Sequence, residues 1–531
     1  MKNISRFIFI LTSAILLSSG WYEWGSGLLL LIAFVPILLL EDAITKNGTI
    51  TRNRSVYLHT SLTILLWNVL TTWWIKNASF AGMAAAMLVT TFFMSFPVMI
   101  YSLVKVRFGR VAGYIGLIVS WLAFEFMYTH GEISWPWLTL GNGFMYSTRF
   151  VQWYEYTGVF GGTLWILLGN ILVYEFIRKG VGIKHKKALV ISLLAFILLP
   201  VIYSLVRYYT YDEKPDPYEI VVVQPNIDPY LKFNDIPPIE QTKKQIDLAR
   251  NKKTSSTDYI VCPETSIMNN IWIGHFDEVP DLRMVRSFVE VNPSLKYITG
   301  IMCRRQYDKR NKTATANEIG RTGLYYDSYN SAIQIDTTPE IQIYHKSKLV
   351  IGVEKMPYPQ YLKILQPLTV RLGGTFRSHA IQKERSVLTS VDDTTSVAPV
   401  ICYESVYGEF VGDYIMKGAE FIFVITNDGW WGNTPGHRQH NALSRLRAIE
   451  TRRSVARSAN TGISSFINQK GDIIMYLSYW KEGALNSILN ANQYITFYSR
   501  YGDYIGRAGF YLTIILIVVI LLHSIYLFVK K

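Results

Sequence analysis

The chain carries three cysteines, Cys262, Cys303 and Cys402, and one of them stands where a thiol can react. Val397 to Ile401 reads as a short apolar strand, and Cys402 follows it at the head of a polar segment, Tyr403-Glu404-Ser405. In α/β sheets catalytic groups are usually presented at the carboxyl ends of strands. A thiol there can serve as a nucleophile, but an ordinary pKa of about 8.5 leaves only a few per cent as thiolate at neutral pH. It needs a base to take its proton and a cation to hold the resulting charge. Two groups of those types also lie just past apolar runs: Glu264 after Tyr259 to Cys262, and Lys346 after Ile341 to Tyr344. Each has a blander reading on its own, Cys402 as a small core residue and Glu264 as a solvated rim carboxylate. Lys348 competes with Lys346, because a continuing strand would point both to one face. Cys262 and Cys303 have no acid-base partner of their own in the sequence and read as core.

Other chemistries find little support. The cysteines show no CxxC or zinc spacing, and there is no P-loop, GxGxxG, HExxH or EF-hand pattern, so no metal and no cofactor is expected. His437 and His440 lie three apart without a thiol or carboxylate beside them, a spacing more often structural than metal-binding.

The elements that must position these groups lie between Tyr218 and about residue 480. Glu219 to Val223 reads as a strand, followed by the turn Gln224-Pro225-Asn226, a helix over Ile239 to Asn251 and a strand at Tyr259 to Cys262. A helix over Val285 to Val291, a strand at Tyr297 to Met302 and paired strands at Ala332 to Ile335 and Ile341 to Tyr344 come next. After the Cys402 strand, the pattern predicts a helix over Tyr407 to Lys417, a strand at Phe421 to Ile425 and an arginine-rich helix over Ala442 to Ser458. A hairpin of Gly462 to Ile467 with Ile473 to Tyr476 closes the region around Gln469-Lys470-Gly471-Asp472. Alternating strands and helices imply an α/β unit with mixed sheets.

Around this unit the chain is apolar. Of 531 residues 50% are hydrophobic and only 17% charged, against about 25% charged in soluble proteins. Apolar runs of about the 20 residues needed to cross a bilayer fall near 7–21, 24–40, 56–75, 80–104, 111–129, 161–178 and 188–206, with an eighth near 508–528. The expected domains are therefore 1–210 (seven spans), 211–500 (the polar α/β unit) and 501–531 (an eighth span and its tail). Met1 to Leu17 has the charge and apolarity of a signal peptide, but the following segment keeps spanning. The net charge of +14 is explained by loops rather than by a nucleic-acid partner. Lys46, Arg52 and Arg54, then Lys105, Arg107 and Arg110, then Arg178, Lys179, Lys184, Lys186 and Lys187 fall on one side with both termini, while the opposite loops offer Lys76 and Arg149. That positive-inside pattern puts the 211–500 unit outside. Few ionisable residues sit within the spans, Glu125 and Glu175 being the main ones, which argues against a translocation path. The loop from His130 to Tyr156, with Trp135-Pro136-Trp137 and Gly141-Asn142-Gly143, reads either as an interfacial anchor or as a lid.

The motifs occur in a fixed order that resembles the nitrilase (carbon-nitrogen hydrolase) superfamily with its Glu-Lys-Cys triad. With the flanking spans, the whole chain is similar to the apolipoprotein N-acyltransferase family. Gln224-Pro225-Asn226-Ile227 opens the region. Cys262-Pro263-Glu264-Thr265, Tyr344-His345-Lys346 and Ile401-Cys402-Tyr403-Glu404 resemble the glutamate, lysine and cysteine segments. Thr426-Asn427-Asp428-Gly429-Trp430-Trp431-Gly432 is similar to an Asn-Asp-x-Trp-aromatic-Gly box, and Gln439-His440, Arg445 to Glu450 and Asn460-Thr461-Gly462-Ile463 also match. The resemblance implies a membrane α-helical bundle of about eight spans plus an α/β nitrilase-like α-β-β-α sandwich. It implies Cys402 as nucleophile, Glu264 as general base, Lys346 as stabiliser of thiolate and oxyanion, and supporting roles for Tyr403, Glu354 and Glu404. It further implies a phospholipid acyl donor, a diacylglyceryl apolipoprotein acceptor, and residence in a bacterial inner membrane with the catalytic unit on the periplasmic face. Two positions depart from the pattern. Ile351-Gly352-Val353-Glu354 stands for a Pro-aromatic-Gly-Glu stretch, and Phe233 stands where a tryptophan is common. The competing readings are a membrane-anchored amidase or nitrilase acting on a small substrate, and a transporter with a ligand-binding domain.

Overall fold

A computed structural model describes residues 3–45, 52–178, 183–233, 235–355, 379–392 and 394–530. The chain forms two compact units: one comprises Met1–Lys76, Phe80–Thr210 and Tyr501–Lys531, the other Asn77–Ser79 and Tyr211–Arg500.

The first unit is helical. Among the described residues seven helices are long and apolar enough to cross a membrane: Ile4–Trp21, Gly27–Thr45, Phe80–Phe108, Arg110–His130, Tyr154–Ile177, Lys187–Thr210 and Tyr504–Val529. The expected span at 56–75 is a helix over Arg52–Thr72, of sufficient length but too rich in polar residues to stand among the seven. Glu125 is buried inside this unit, where Oε1 accepts from the Trp121 indole at 2.9 Å and from Leu140 N–H at 2.8 Å, and Oε2 from the Thr163 hydroxyl at 2.7 Å. A carboxylate so deep in an apolar bundle must be hydrogen-bonded to persist. Here it fastens the 130–156 loop, whose Trp137, Leu138, Leu140 and Phe144 are buried in the same unit, as an anchor would be.

The second unit is a pair of mixed sheets faced by helices. In chain order its elements are β1 (Pro217–Gln224), helix α1 (Pro238–Arg250), β2 (Thr257–Val261), β3 (Ile267–Trp272), α2 (Pro280–Glu290), β4 (Lys296–Asp308), β5 (Asn317–Glu318), β6 (Leu324–Ile335) and β7 (Gln342–His345). There follow β8 (Leu388–Thr389), β9 (Ser396–Ile401), α3 (Gly408–Met416), β10 (Phe421–Thr426), α4 (Pro435–Thr451), β11 (Ser454–Ala459), β12 (Ser464–Ile467), β13 (Ile473–Leu477) and β14 (Gly483–Asn490). One sheet runs β14-β1-β2-β4-β6-β5 with β3 on β4 and β7 on β6, and the other β13-β12-β11-β10-β9-β8. Each has a parallel centre, β1-β2-β4 and β9-β10-β11, and β9, β10 and β11 are buried along their whole length, as doubly covered parallel strands must be. Val221, Val223 and Ile260 pack outward with Ile246 of α1 and Val285, Phe288 and Val289 of α2 in one core. Between the sheets Tyr218 meets Phe421 and Tyr259 meets Phe423 edge to face, at 5.4 and 5.3 Å.

One element differs from its expected form. The arginine-rich helix ends at Thr451, with Arg452 in left-handed geometry (φ 50°) as its cap, and Ser454–Ala459 is the strand β11, parallel to β10. Helical periodicity continued by chance across the break, whereas the place beside β10 was fixed by pairing. Three strands unmarked in the sequence pattern, β3, β5 and β14, complete the first sheet, β14 antiparallel to β1, and a fourth, β8, edges the second.

Candidate active site

Turns that follow strands β1, β2 and β9 share an unusual backbone. Asn226 after β1, Thr265 beyond β2 and Cys402 at the end of β9 all have left-handed φ, at 50°, 51° and 52°. Non-glycine residues rarely adopt this geometry, and when they do the surroundings must enforce it. Cys402 thus makes a sharp turn out of its strand into the short helix Cys402–Val406.

Glu264 is brought in by close backbone packing. Gly300 of β4 lies under its turn and donates to the Pro263 carbonyl at 3.1 Å. A Cβ on Gly300 would stand 2.5 Å from Thr265 N and 2.7 Å from Glu264 Cα, so only glycine admits this approach. On the other side Lys232 is buried and donates to the Glu264 carbonyl at 3.2 Å and the Thr265 hydroxyl at 3.0 Å. Burial pulls this ammonium down to about 7, with the Glu264 charge opposing.

Lys346 follows β7, its N–H donating to Asn330 O at 2.8 Å. Its ammonium is 1% exposed and lies 2.8 Å from Glu264 Oε1 and 3.0 Å from Glu354 Oε1. Asn330 Nδ2 donates to the same two oxygens at 2.8 and 3.1 Å, and Val350 N–H donates to Glu354 Oε2 at 2.9 Å. Burial alone would strip the lysine of its proton, but the carboxylates of Glu264 and Glu354 outweigh it and hold the pKa well above the usual lysine range. Burial likewise pushes Glu354 up, and the Lys346 charge, followed by His379, brings it below the usual carboxylate range. Lys348 instead lies over the Tyr407 ring, 4.7 Å from its centre.

Cys402 sits within electrostatic reach of both partners. Burial, and then the Glu264 charge, pushes its thiol well above the ordinary value, while the Lys346 ammonium pulls it down. The resting group is therefore a thiol that needs a base. Glu404 holds the two loops together: Oε1 accepts from the Tyr344 hydroxyl and Ser347 N–H, both at 2.7 Å, and Oε2 accepts from Ile401 N–H at 2.8 Å. It fixes the backbone around Lys346 and Cys402 without touching the ammonium itself. Tyr403 is buried with its ring edge-on to Tyr407, at 5.3 Å. Phe233 stacks on Trp430, at 6.4 Å between ring centres and 23° between planes.

Cys262 and Cys303 are elsewhere in the core, bonded to Tyr297 and Ser331, and burial raises each to about 12. His437 stacks on Tyr479 with ring centres 4.4 Å apart. His440 is fully buried against Asp428 (2.9 Å), and Asp428 is bonded to Arg457 (2.7 Å). Donor atoms of Cys402, Asp428 and His440 lie within 4.8 Å of one another, a trio the residue spacing gave no sign of, but the Arg457 guanidinium already supplies the cation there. Lys232, Asn330, Gly300 and Arg457 were not singled out in the sequence. Only Gly300, a glycine within an apolar strand, carried a signal that could have found it.

Profiles of two families match this chain: carbon-nitrogen hydrolase over residues 220–493 and apolipoprotein N-acyltransferase N-terminal domain over residues 13–172. The chain is 29% identical over 507 residues to the apolipoprotein N-acyltransferase of Chlorobaculum tepidum, covering 94% of this chain and 93% of the relative. It is 23% identical to that of Geobacter metallireducens, covering 94% and 92%. To that of Allorhizobium ampelinum it is 30% identical, covering 71% and 67%.

Proposed function

The chain belongs to the carbon-nitrogen hydrolase family, in its apolipoprotein N-acyltransferase branch, and from that premise we propose the following reaction. The enzyme takes a fatty acyl group from a membrane phospholipid, holds it as a thioester on Cys402, and passes it to the α-amine of the N-terminal diacylglyceryl-cysteine of an apolipoprotein. Splitting ester aminolysis into two thioester steps replaces one difficult displacement by two easier ones.

Glu264 takes the Cys402 proton as the sulfur attacks the ester carbonyl. The tetrahedral oxyanion is stabilised by protonated Lys346 and by the N–H of Tyr403, a donor of a kind typically worth about 3 kcal/mol. Collapse expels the lysophospholipid alkoxide, which recovers the proton from Glu264. In the second half the acceptor amine attacks the thioester and gives its proton to Glu264. The amide forms, and the departing thiolate takes that proton back. Glu354 keeps Lys346 charged and aimed throughout, and Asn330 Nδ2 holds the two carboxylates that flank it. Both substrates are amphiphiles whose chains remain in the bilayer, which accounts for a hydrolase-type unit carried on a membrane bundle. We place that bundle in the inner membrane with residues 211–500 on the periplasmic face, on the loop charges.

The observation that carries this reading is the buried Lys346 ammonium bridging Glu264 and Glu354, its charge and that of Glu264 both acting on the Cys402 thiol. Incubation with acyl-labelled phospholipid should leave a hydroxylamine-sensitive label on Cys402, which a diacylated lipopeptide then removes as labelled amide. Cys402→Ala should abolish both steps, whereas Cys262→Ala and Cys303→Ala should retain them. Labelled product from Cys402→Ala, or free fatty acid as the only product of the wild type, would overturn the assignment.

A further inference from the structure

Cys402 is held in left-handed geometry, φ 52°, and neither Glu264 nor Lys346 holds it there. The grip is on its carbonyl. Ser405 Oγ donates to Cys402 O at 2.8 Å, and His440 Nε2 lies 3.2 Å from the same oxygen and 3.0 Å from Ser405 Oγ. With the one serine proton already committed to the carbonyl, Nε2 must carry a hydrogen, since a bare nitrogen would set three acceptors against one another. The opposite edge of the ring is fixed as well. Nδ1 is 2.9 Å from Asp428 Oδ1 and 3.0 Å from an Arg457 guanidinium nitrogen, the first able to receive a hydrogen and the second able to supply one. That edge is therefore satisfied in the neutral and the protonated ring alike. Asp428 is itself locked by Arg457 at 2.7 Å and by the Thr426 hydroxyl at 2.8 Å. All three side chains of the set are 0% exposed. Gly462 leaves room for it: a Cβ there would stand 2.8 Å from Asp428 Oδ2.

We propose that His440, backed by Asp428 and Arg457, is a positioning residue for acyl transfer, clamping the Cys402 carbonyl so that the strained turn keeps the sulfur facing Glu264 and Lys346. It acts through the backbone of the nucleophile and takes no proton from the sulfur. A strained residue at a reactive site relaxes once its restraint goes, and a displacement of about 1 Å there costs on the order of a hundredfold in rate.

The inference rests on Cys402 as nucleophile, and its test has one arm that does not. His440→Gln keeps an N–H near the Nε2 position, whereas His440→Asn keeps a polar group only near Nδ1 and withdraws from the carbonyl. In the full-length protein, Cys402 acylation by labelled phospholipid should fall about a hundredfold in His440→Asn at unchanged KM and recover to within about tenfold of wild type in His440→Gln. Alkylation of Cys402 by iodoacetamide, read by mass spectrometry, should follow the same order, without reference to any acyl chemistry. Equal rates in the two variants, on either readout, overturn the clamp. If His440→Asn does not fold, His440→Gln decides alone, and a folded protein acylated more than about a hundredfold slower than wild type overturns it. Absence of acyl label on the wild type would sink the nucleophile reading instead, and the alkylation order would still decide on His440.

Discussion

At the scale of single residues, this site works by setting charge against burial. Lys346 and Lys232 are both buried ammonium groups, yet they come out opposite. Lys346 has two carboxylates within 3.0 Å and keeps its proton. Lys232, among the described residues, donates to neutral oxygens and is pulled down to about 7 by burial. The difference has a measurable consequence. Between about pH 7 and the ordinary lysine value of about 10.4, the unfolded chain keeps a proton that the folded protein has released, so stability rises with pH across that window. The contribution should be about 2 kcal/mol between pH 7 and 9. Thermal unfolding in detergent over that range should show the wild type gaining on Lys232→Met as pH rises, and a constant difference between the two would count against it.

At the scale of elements, catalysis depends on where strands end and how closely their turns approach. Glu264 reaches its place because β4 offers Gly300 beneath the turn. Gly300→Ala should push the Pro263-Glu264-Thr265 turn away from the lysine and lower the acylation rate of Cys402 by about a hundredfold, with Lys346 and Cys402 chemically intact. Wild-type acylation kinetics in that variant would show that the turn tolerates the shift and that Glu264 is not held by this contact. Most strands were legible from short apolar runs and most helices from the longer stretches between them, with turn residues marking their ends. The end of α4 was not, because Arg452 to Ala459 carries no proline or glycine to mark the break. Only pairing with β10 makes a strand of it.

At the scale of the whole molecule, the chain joins a helical membrane unit to a hydrolase-type sandwich, and the sidedness of the first decides what the second can reach. In the proposed orientation residue 109 lies inside and residue 131 outside. Reporter fusions that are active only after export should therefore be silent when joined after residue 109 and active when joined after residue 131. The reverse pattern would remove the periplasmic placement and, with it, access to exported apolipoproteins.

The sequence by itself determined the membrane character and the α/β class of the polar region and singled out Glu264, Lys346 and Cys402 as candidates, since apolar run length, strand-terminal position and short motifs can be read along the chain. Tertiary structure decided the rest. It brought Glu354 onto Lys346 and Asn330 onto the carboxylates of Glu264 and Glu354, put Gly300 under Glu264, buried Lys232 against the Glu264 carbonyl, and set His440 on the Cys402 carbonyl. Each of those is a meeting of residues far apart in the chain, and its energy depends on how well water is excluded and how closely backbones approach. Neither quantity exists until the two sheets have packed.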